Sequence, residues 1–349
     1  MDRNEEYREN GFDLLRYAAT LSVMMLHYSS FSMILSDNLP VVGAAFMDKT
    51  RHVTQLFPGV VILFVMSGFL VSASFERAKS RKEFFLKRAL RIYPELWLCS
   101  IVNLAVISVL VPELLDRSII PWLVTQIFGI ANTPACLQSL PTGSVNGALW
   151  TVFTEVQLYL VLGLLYPFLK KRRIRHWAAI LFVLAALNLV CGVVAQSAGG
   201  VSAKLIERLF IPYALWFFIG VFCFQKRQAL LPVLKKVFLP LLVIYLMIGS
   251  VKAQLPGYYT NIVTSVMIPV LAIGCGYWLP KIRLKHDFSY GMFLYHWIVL
   301  NVMTHFDLLN RLPWYVGLFL FLSGTIAAAV MSWAVCGWCR RGVEKVFGR

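Results

Sequence analysis

The sequence predicts an all-α polytopic membrane protein with about ten transmembrane helices, and its composition is the first observation behind that prediction. Of the 349 residues, 59% are hydrophobic and only 14% are charged, whereas a soluble domain carries about 25% charged residues. Long apolar runs alternate with short charged segments, and one helix needs about 20 apolar residues to cross the hydrocarbon layer. A soluble globular enzyme and a disordered chain are therefore poor interpretations.

Ten apolar runs are predicted to be membrane spans, and together they form a single membrane domain over residues 1–349. The runs are 12–34, 57–75, 92–111, 148–169, 177–195, 207–224, 237–251, 259–279, 288–306 and 313–336. The seventh run is the shortest. We expect no additional extracytoplasmic domain.

The basic residues predict the orientation of these spans. With the N-terminus in the cytoplasm, the cytoplasmic segments hold 25 Lys and Arg and the outer segments hold 6, as the positive-inside rule requires. Both termini are then cytoplasmic. The topology explains most of the net charge of +16, so we expect no nucleic-acid partner, and the His and Cys spacings indicate no metal site.

Arg16 and His27 in the first span are candidate functional residues, because ionisable groups are costly inside a membrane. They are eleven positions apart, which places both on one helix face about 16 Å apart along the axis. Such a face suits a long ligand that is anionic at one end and reactive at the other, as acyl-coenzyme A is. Alternatively, Arg16 pairs with Asp13, and His27 only hydrogen-bonds a neighbouring helix.

Glu155 and His296 are the other two candidates inside the spans. Glu155 in the fourth span is expected at the same membrane depth as His27, where a carboxylate can orient an imidazole that acts as a general base. The alternative is a protonated carboxyl group that hydrogen-bonds between helices. His296 in the ninth span either contacts the middle of the same ligand or hydrogen-bonds between helices, and the sequence favours neither.

A basic motif, F-x-x-R-x-x-R, begins at Phe85 in the cytoplasmic segment 76–91 and ends at Arg91. Arg88 and Arg91 share a helix face, and guanidinium groups suit phosphate oxygens. Pro94 is expected in the first turn of the third span. Anchoring to anionic lipid is the alternative function of this segment.

Other features are predicted to have smaller roles. Ser67, in the second span, is expected to be a packing residue rather than a nucleophile, because the sequence shows no base beside it. Glu207 and Arg208 are placed near the outer end of the sixth span. The outer segment 112–147 is expected to touch the interface and is long enough to shape an acceptor site.

Four motifs resemble those of acyltransferase family 3, integral membrane proteins that O-acylate cell-surface polysaccharides and related acceptors. They are R-x10-H from Arg16 to His27, F-x-x-R-x-x-R-I-Y-P from Phe85 to Pro94, LWTVFTEVQLY around Glu155, and SYGMFLYH ending at His296. The motifs occur in the family's order within residues 12–336. Each is weak by itself, but their joint occurrence in a ten-span chain is specific.

The resemblance implies a donor acyl-coenzyme A, usually acetyl-coenzyme A, reached from the cytoplasm, and a saccharide or glycolipid hydroxyl as acceptor. It implies His27 as the catalytic imidazole, Glu155 in support of the reaction centre, and Arg16, Arg88 and Arg91 as donor-binding residues. We add His296 to the donor-binding set and expect a bacterial inner-membrane location. An acyl-His intermediate remains a competing mechanism, and a secondary transporter or exporter of a glycan or lipid-linked intermediate remains a competing function.

Overall fold

The computed structural model describes residues 10–198, 200–250, 255–282 and 284–346. Regular structure in those ranges is helical, without strands. The helices are α1 (Phe12–Leu35), α2 (Val41–Leu56), α3 (Gly59–Arg77), α4 (Arg81–Leu110), α5 (Ile119–Ile127), α6 (Leu149–Leu169), α7 (Ile174–Ala198), α8 (Gly200–Arg208), α9 (Ala214–Gln225), α10 (Arg227–Ser250), α11 (Ile262–Trp278), α12 (Ser289–His305), α13 (Leu308–Arg311) and α14 (Trp314–Val346). The predicted all-α membrane fold is confirmed.

Each predicted span contains a helix, but the helices differ in length. Seven helical segments of the described ranges are long and apolar enough to cross a membrane: α1, α2 together with α3, α4, α6, α7, α10 and α14. The other three predicted spans correspond to the shorter helices α9, α11 and α12. The number of ten spans therefore stays a prediction.

The predicted boundaries of the sixth and seventh spans are wrong. The sixth was expected to begin at residue 207, but α8 ends at Arg208 and α9 begins only at Ala214. Between them lies a short 3-10 helix with Pro212 in its first turn, where a proline cannot continue the preceding helix. Glu207 and Arg208 consequently belong to α8 and not to a span. The seventh span lies within α10, which begins at Arg227, ten residues earlier than expected.

The basic segment that precedes the third span is helical. The Ser80 side chain accepts a hydrogen bond from the backbone of Glu83 at 3.1 Å, and the Glu83 carboxylate accepts one from the backbone of Lys79 at 2.8 Å. This arrangement closely resembles a capping box and starts α4 at Arg81. Pro94 therefore lies inside α4. The sequence-based expectation that Pro94 lies in the first turn of a span is wrong.

The chain divides into two compact units. The first unit comprises 1–19, 56–88 and 154–285, and the second comprises 20–55, 89–153 and 286–349. In the first unit, α3 and α9 pack backbone to backbone: a Cβ atom on Gly68 would lie 2.0 Å from the Phe217 carbonyl oxygen, and one on Gly220 would lie 2.1 Å from that of Val65. Glycines at both positions allow this approach.

In the second unit, the outer segment 112–147 is docked on α12. Trp122 and Leu137 belong to a small buried apolar cluster of this segment. The Trp297 indole donates to the Ser144 carbonyl at 3.1 Å, and the Asn301 amide donates to the Val145 carbonyl at 2.9 Å. These bonds fix the end of the segment on the helix that carries His296.

Candidate active site

The first unit contains a cluster of three polar side chains from α3 and α6. The Ser67 hydroxyl donates to Oε1 of Glu155 at 2.6 Å and lies 2.9 Å from the Tyr159 hydroxyl. The Tyr159 hydroxyl also donates to Glu155. Glu155 and Tyr159 are four residues apart on α6 and so share one face of that helix. We call these three residues the carboxylate cluster.

Arg88 extends this cluster towards the predicted cytoplasmic end of α3. Its Nη2 donates to the Ser74 hydroxyl at 3.2 Å, and its Cζ lies 6.0 Å from the centroid of the Tyr159 ring. Its Nε is buried and has no hydrogen-bond partner among the described residues. Arg88 thus has donor capacity left for an anionic or carbonyl group.

The second unit contains a pair of imidazoles. His27 on α1 and His296 on α12 are joined by a contact of 2.8 Å between His27 Nδ1 and His296 Nε2. The two rings are nearly parallel, with an interplanar angle of 2° and centroids 5.1 Å apart. His296 is buried, whereas His27 is partly exposed. We call these two residues the imidazole pair.

A backbone carbonyl fixes the protons of the imidazole pair. His296 Nδ1 lies 2.7 Å from the Phe293 carbonyl oxygen, and because a carbonyl only accepts, the Nδ1 atom must carry the proton. In a neutral His296 the Nε2 atom is then an acceptor, so His27 Nδ1 must donate to it. His27 Nε2 is left with a lone pair, as a general base requires.

Aromatic rings surround His27 within the second unit. The Trp297 ring packs edge-on, with its centroid 4.9 Å from that of His27, and Phe31 contacts the same indole at 5.5 Å. Gly147 lies directly on this indole, since a Cβ atom there would be 2.4 Å from it. The outer segment therefore supports the ring that packs against His27.

The remaining candidates have separate partners. Arg16 contacts the Asp13 carboxylate at 3.4 Å, the pairing that the sequence offered as the alternative to donor binding. Arg91 contacts Asp287 at 3.2 Å and is about half exposed. Both ion pairs are partly exposed to solvent. The donor-binding role of these arginines stays a prediction.

Sequence reasoning did not find the partners of the two catalytic candidates. Glu155 was expected to orient His27, but its contacts within the first unit are Ser67 and Tyr159, whereas His27 contacts His296. The spacing of Glu155 and Tyr159 on one helix face was a readable signal. The pairing of residues on different helices has no such signal in one sequence.

Comparison with known proteins gives a consistent result. The family described as an acyltransferase domain, acyltransferase 3, matches residues 9–336. "Nodulation protein 10" of Rhizobium leguminosarum bv. viciae is 29% identical over 93% of this chain and 91% of its own length. "O-acetyl transferase" of Shigella phage Sf6 is 25% identical over 86% of this chain and 87% of its own length. No solved structure matches the chain.

Proposed function

We propose that this chain moves an acyl group from acyl-coenzyme A to a saccharide hydroxyl, with His27 as the general base. The premise is that the chain belongs to the acyltransferase 3 family and is a membrane O-acyltransferase. The family match supports an enzyme over the transporter that the sequence left open. The name of the phage relative, O-acetyl transferase, supports an acetyl donor. The bacterial and phage origins of the two relatives support a bacterial inner membrane.

The proton arrangement of the imidazole pair is the observation that carries this proposal. With the Phe293 carbonyl accepting from His296 and His296 accepting from His27, the lone pair on His27 Nε2 is available to the acceptor. The acceptor hydroxyl gives its proton to Nε2 while its oxygen attacks the carbonyl carbon of the acyl group. The imidazolium then returns the proton to the departing group. His296 is a positioning residue, not a catalytic one, in this scheme.

Arg88 is the best-supported donor-binding residue. Its buried Nε lacks a partner within the described residues, and a guanidinium is suited to phosphate or to a polarised carbonyl. Arg16 and Arg91, already paired with carboxylates, would add positive charge rather than a dedicated site. In this proposal His296 leaves the donor-binding set, because both of its ring nitrogens are occupied by His27 and Phe293.

The test uses purified protein in lipid vesicles with radiolabelled acetyl-coenzyme A and saccharides extracted from the membranes of the expressing cells. We expect labelled saccharide and one free coenzyme A for each acetyl group transferred. His27→Ala should reduce transfer by roughly 1,000-fold, within the range for loss of a general base. His305→Ala is the matched control, since His305 is exposed at the end of α12 and should transfer at the wild-type rate.

Two results would contradict the proposal. Transfer at the wild-type rate by His27→Ala would remove this imidazole from the chemistry. Movement of unmodified saccharide across the vesicle membrane, with the acetyl-coenzyme A left intact, would favour the transporter instead.

A further inference from the structure

Ser67 is unusually accessible for its position in α3. It is partly exposed, whereas its neighbours Val65, Met66, Gly68 and Phe69 are all buried. A serine that only bridges two helices is normally sealed in their seam or bonded to its own helix, as Ser72 is to the Gly68 carbonyl at 2.7 Å. The Ser67 hydroxyl instead combines access with a partner on another helix.

The partner is a base of suitable geometry. The Ser67 hydroxyl donates to the Glu155 carboxylate at 2.6 Å, and Glu155 is itself partly exposed. Tyr159 donates to the same carboxylate oxygen and so fixes its orientation. A hydroxyl, a base within hydrogen-bond reach and a third group that orients the base are the pattern of an activated nucleophile.

The backbone around Ser67 is held rigidly. The close approach of Gly68 to the Phe217 carbonyl and of Val65 to Gly220 clamps α3 against α9 on both sides of Ser67. Rigid support of this kind places a reacting atom more reproducibly than a loop does. A reactive hydroxyl therefore has a stable position within the first unit.

Polar groups connect Ser67 with the predicted cytoplasmic end of α3. Ser67 contacts Tyr159, Arg88 lies against the Tyr159 ring, and Arg88 donates to Ser74. Ser67 and Ser74 are seven residues apart on α3, or about 10 Å along its axis. A donor that arrives from the cytoplasm would meet Arg88 before it meets Ser67.

We infer that Ser67 is a nucleophile that carries the acyl group between donor and acceptor, with Glu155 as its base. The inference rests on the proposed function and divides it into two half-reactions. In the first, Ser67 Oγ bonds to the thioester carbonyl carbon and the C–S bond breaks. Glu155 takes the Ser67 proton and delivers it to the departing thiolate, which leaves as free coenzyme A.

The second half-reaction regenerates Ser67. The acceptor hydroxyl attacks the carbonyl carbon of the Ser67 ester, the new ester bond forms, and the bond from Ser67 Oγ to the acyl carbon breaks. The proton that the acceptor hydroxyl loses replaces the one that Ser67 Oγ gave up in the first half-reaction. One ester replaces another, so the step needs no oxidant or reductant.

The test is an isotope exchange without any saccharide. Full-length wild-type protein in vesicles receives unlabelled acetyl-coenzyme A and radiolabelled coenzyme A. A covalent acetyl-Ser67 moves label into acetyl-coenzyme A, whereas direct transfer to an acceptor does not. Ser67→Ala should reduce exchange by roughly 100-fold or more. The matched control Ser72→Ala, also on α3, should exchange at the wild-type rate.

Three further measurements keep the inference independent of how Ser67→Ala folds. Mass spectrometry of the wild-type protein after incubation with acetyl-coenzyme A should place one acetyl group on Ser67. Ser67→Cys should retain exchange and form a thioester that hydroxylamine cleaves. His27→Ala should retain exchange while losing transfer to saccharide, because exchange involves no acceptor hydroxyl that a base must deprotonate.

The outcomes separate this inference from the proposed function. Transfer to saccharide by the wild-type protein without exchange, or an acetyl group mapped to His27, would overturn the role of Ser67 and leave the acyltransferase intact. Absence of both exchange and transfer would overturn the proposed function, and the Ser67 intermediate would be rejected with it.

Discussion

The carboxylate cluster and the imidazole pair are both polar groups held by membrane helices, yet their hydrogen bonds end on different kinds of acceptor. In the first unit, Ser67 and Tyr159 donate to Glu155, so the chain of donors ends on an acid. In the second unit, His27 and His296 form a line that ends on the Phe293 backbone carbonyl. A carboxylate can receive a proton, whereas a carbonyl can only hold one in place.

This difference indicates two kinds of chemistry in the two units. The carboxylate cluster is able to take a proton from a hydroxyl that belongs to the protein. The imidazole pair keeps the proton on one side of His27 and leaves the opposite nitrogen, Nε2, for a hydroxyl that comes from outside. A backbone carbonyl is also insensitive to substitution, so the orientation of His296 is fixed by the course of α12.

His296→Ala should give the largest difference between the two regions, because it should impair the imidazole pair and leave the carboxylate cluster unchanged. Without a partner at Nδ1, His27 can rotate and exchange tautomers, and we expect turnover to fall by roughly 100-fold, near the upper end for loss of an orienting group. The KM for acetyl-coenzyme A should stay unchanged, as should exchange of labelled coenzyme A. Steady-state kinetics of purified protein give both quantities.

A conservative variant distinguishes orientation from packing at this position. The His296→Gln amide can accept from His27 and donate to the Phe293 carbonyl, so it should recover part of the activity that His296→Ala loses. Equal activity in the two variants, with equal thermal stability, would mean that the line of hydrogen bonds has no part in turnover.

Arg88→Ala should impair donor binding by the first unit more than it impairs turnover. Loss of a charge-assisted contact to the donor should raise the KM for acetyl-coenzyme A by roughly 10-fold, with a smaller change in kcat. Arg311→Ala is the matched control, because Arg311 is largely exposed and pairs with Asp307 on a neighbouring turn. A reduced kcat at unchanged donor KM would assign Arg88 to the support of Glu155 instead of the donor.

Gly147→Ala should have the smallest effect on turnover, and it should act through the second unit alone. The new methyl group would overlap the Trp297 indole, which is also held by Ser144 and packed on His27. We expect turnover to fall by about 3-fold to 10-fold, because overpacking by one methyl group costs about 1–3 kcal/mol and shifts neighbouring rings. Gly337→Ala, which would meet nothing within 4 Å, is the control. Unchanged turnover for Gly147→Ala would show that Trp297 does not position His27.

The fold was predictable from the sequence because hydropathy and charge act locally. Each apolar run contains a helix, and the errors occur where prolines act. Pro212 lies between α8 and α9, so α9 begins later than predicted, while Pro94 lies inside a helix that a cap at Ser80 had already started. Helix propensity cannot decide between these outcomes, since a proline is tolerated or not according to what surrounds its neighbouring carbonyl groups.

The candidate residues were also predictable, but their partners were not. The cost of ionisable groups in a membrane points to His27, Glu155 and His296 one at a time. Which of them meet depends on the rotation and neighbours of each helix, and periodicity in one chain carries no information about either. Ser67 was assigned to packing for this reason: the carboxylate to which its hydroxyl donates lies 88 residues further along the chain.

The glycine at position 147 links the exterior stretch 112–147 to the surroundings of His27. Any side chain at that position would overlap the same indole that packs on His27. The exterior stretch therefore reaches His27 through the Trp297 indole. A shift of the backbone at residue 147 would move this indole, and with it the surface on which His27 packs, without a change at either histidine.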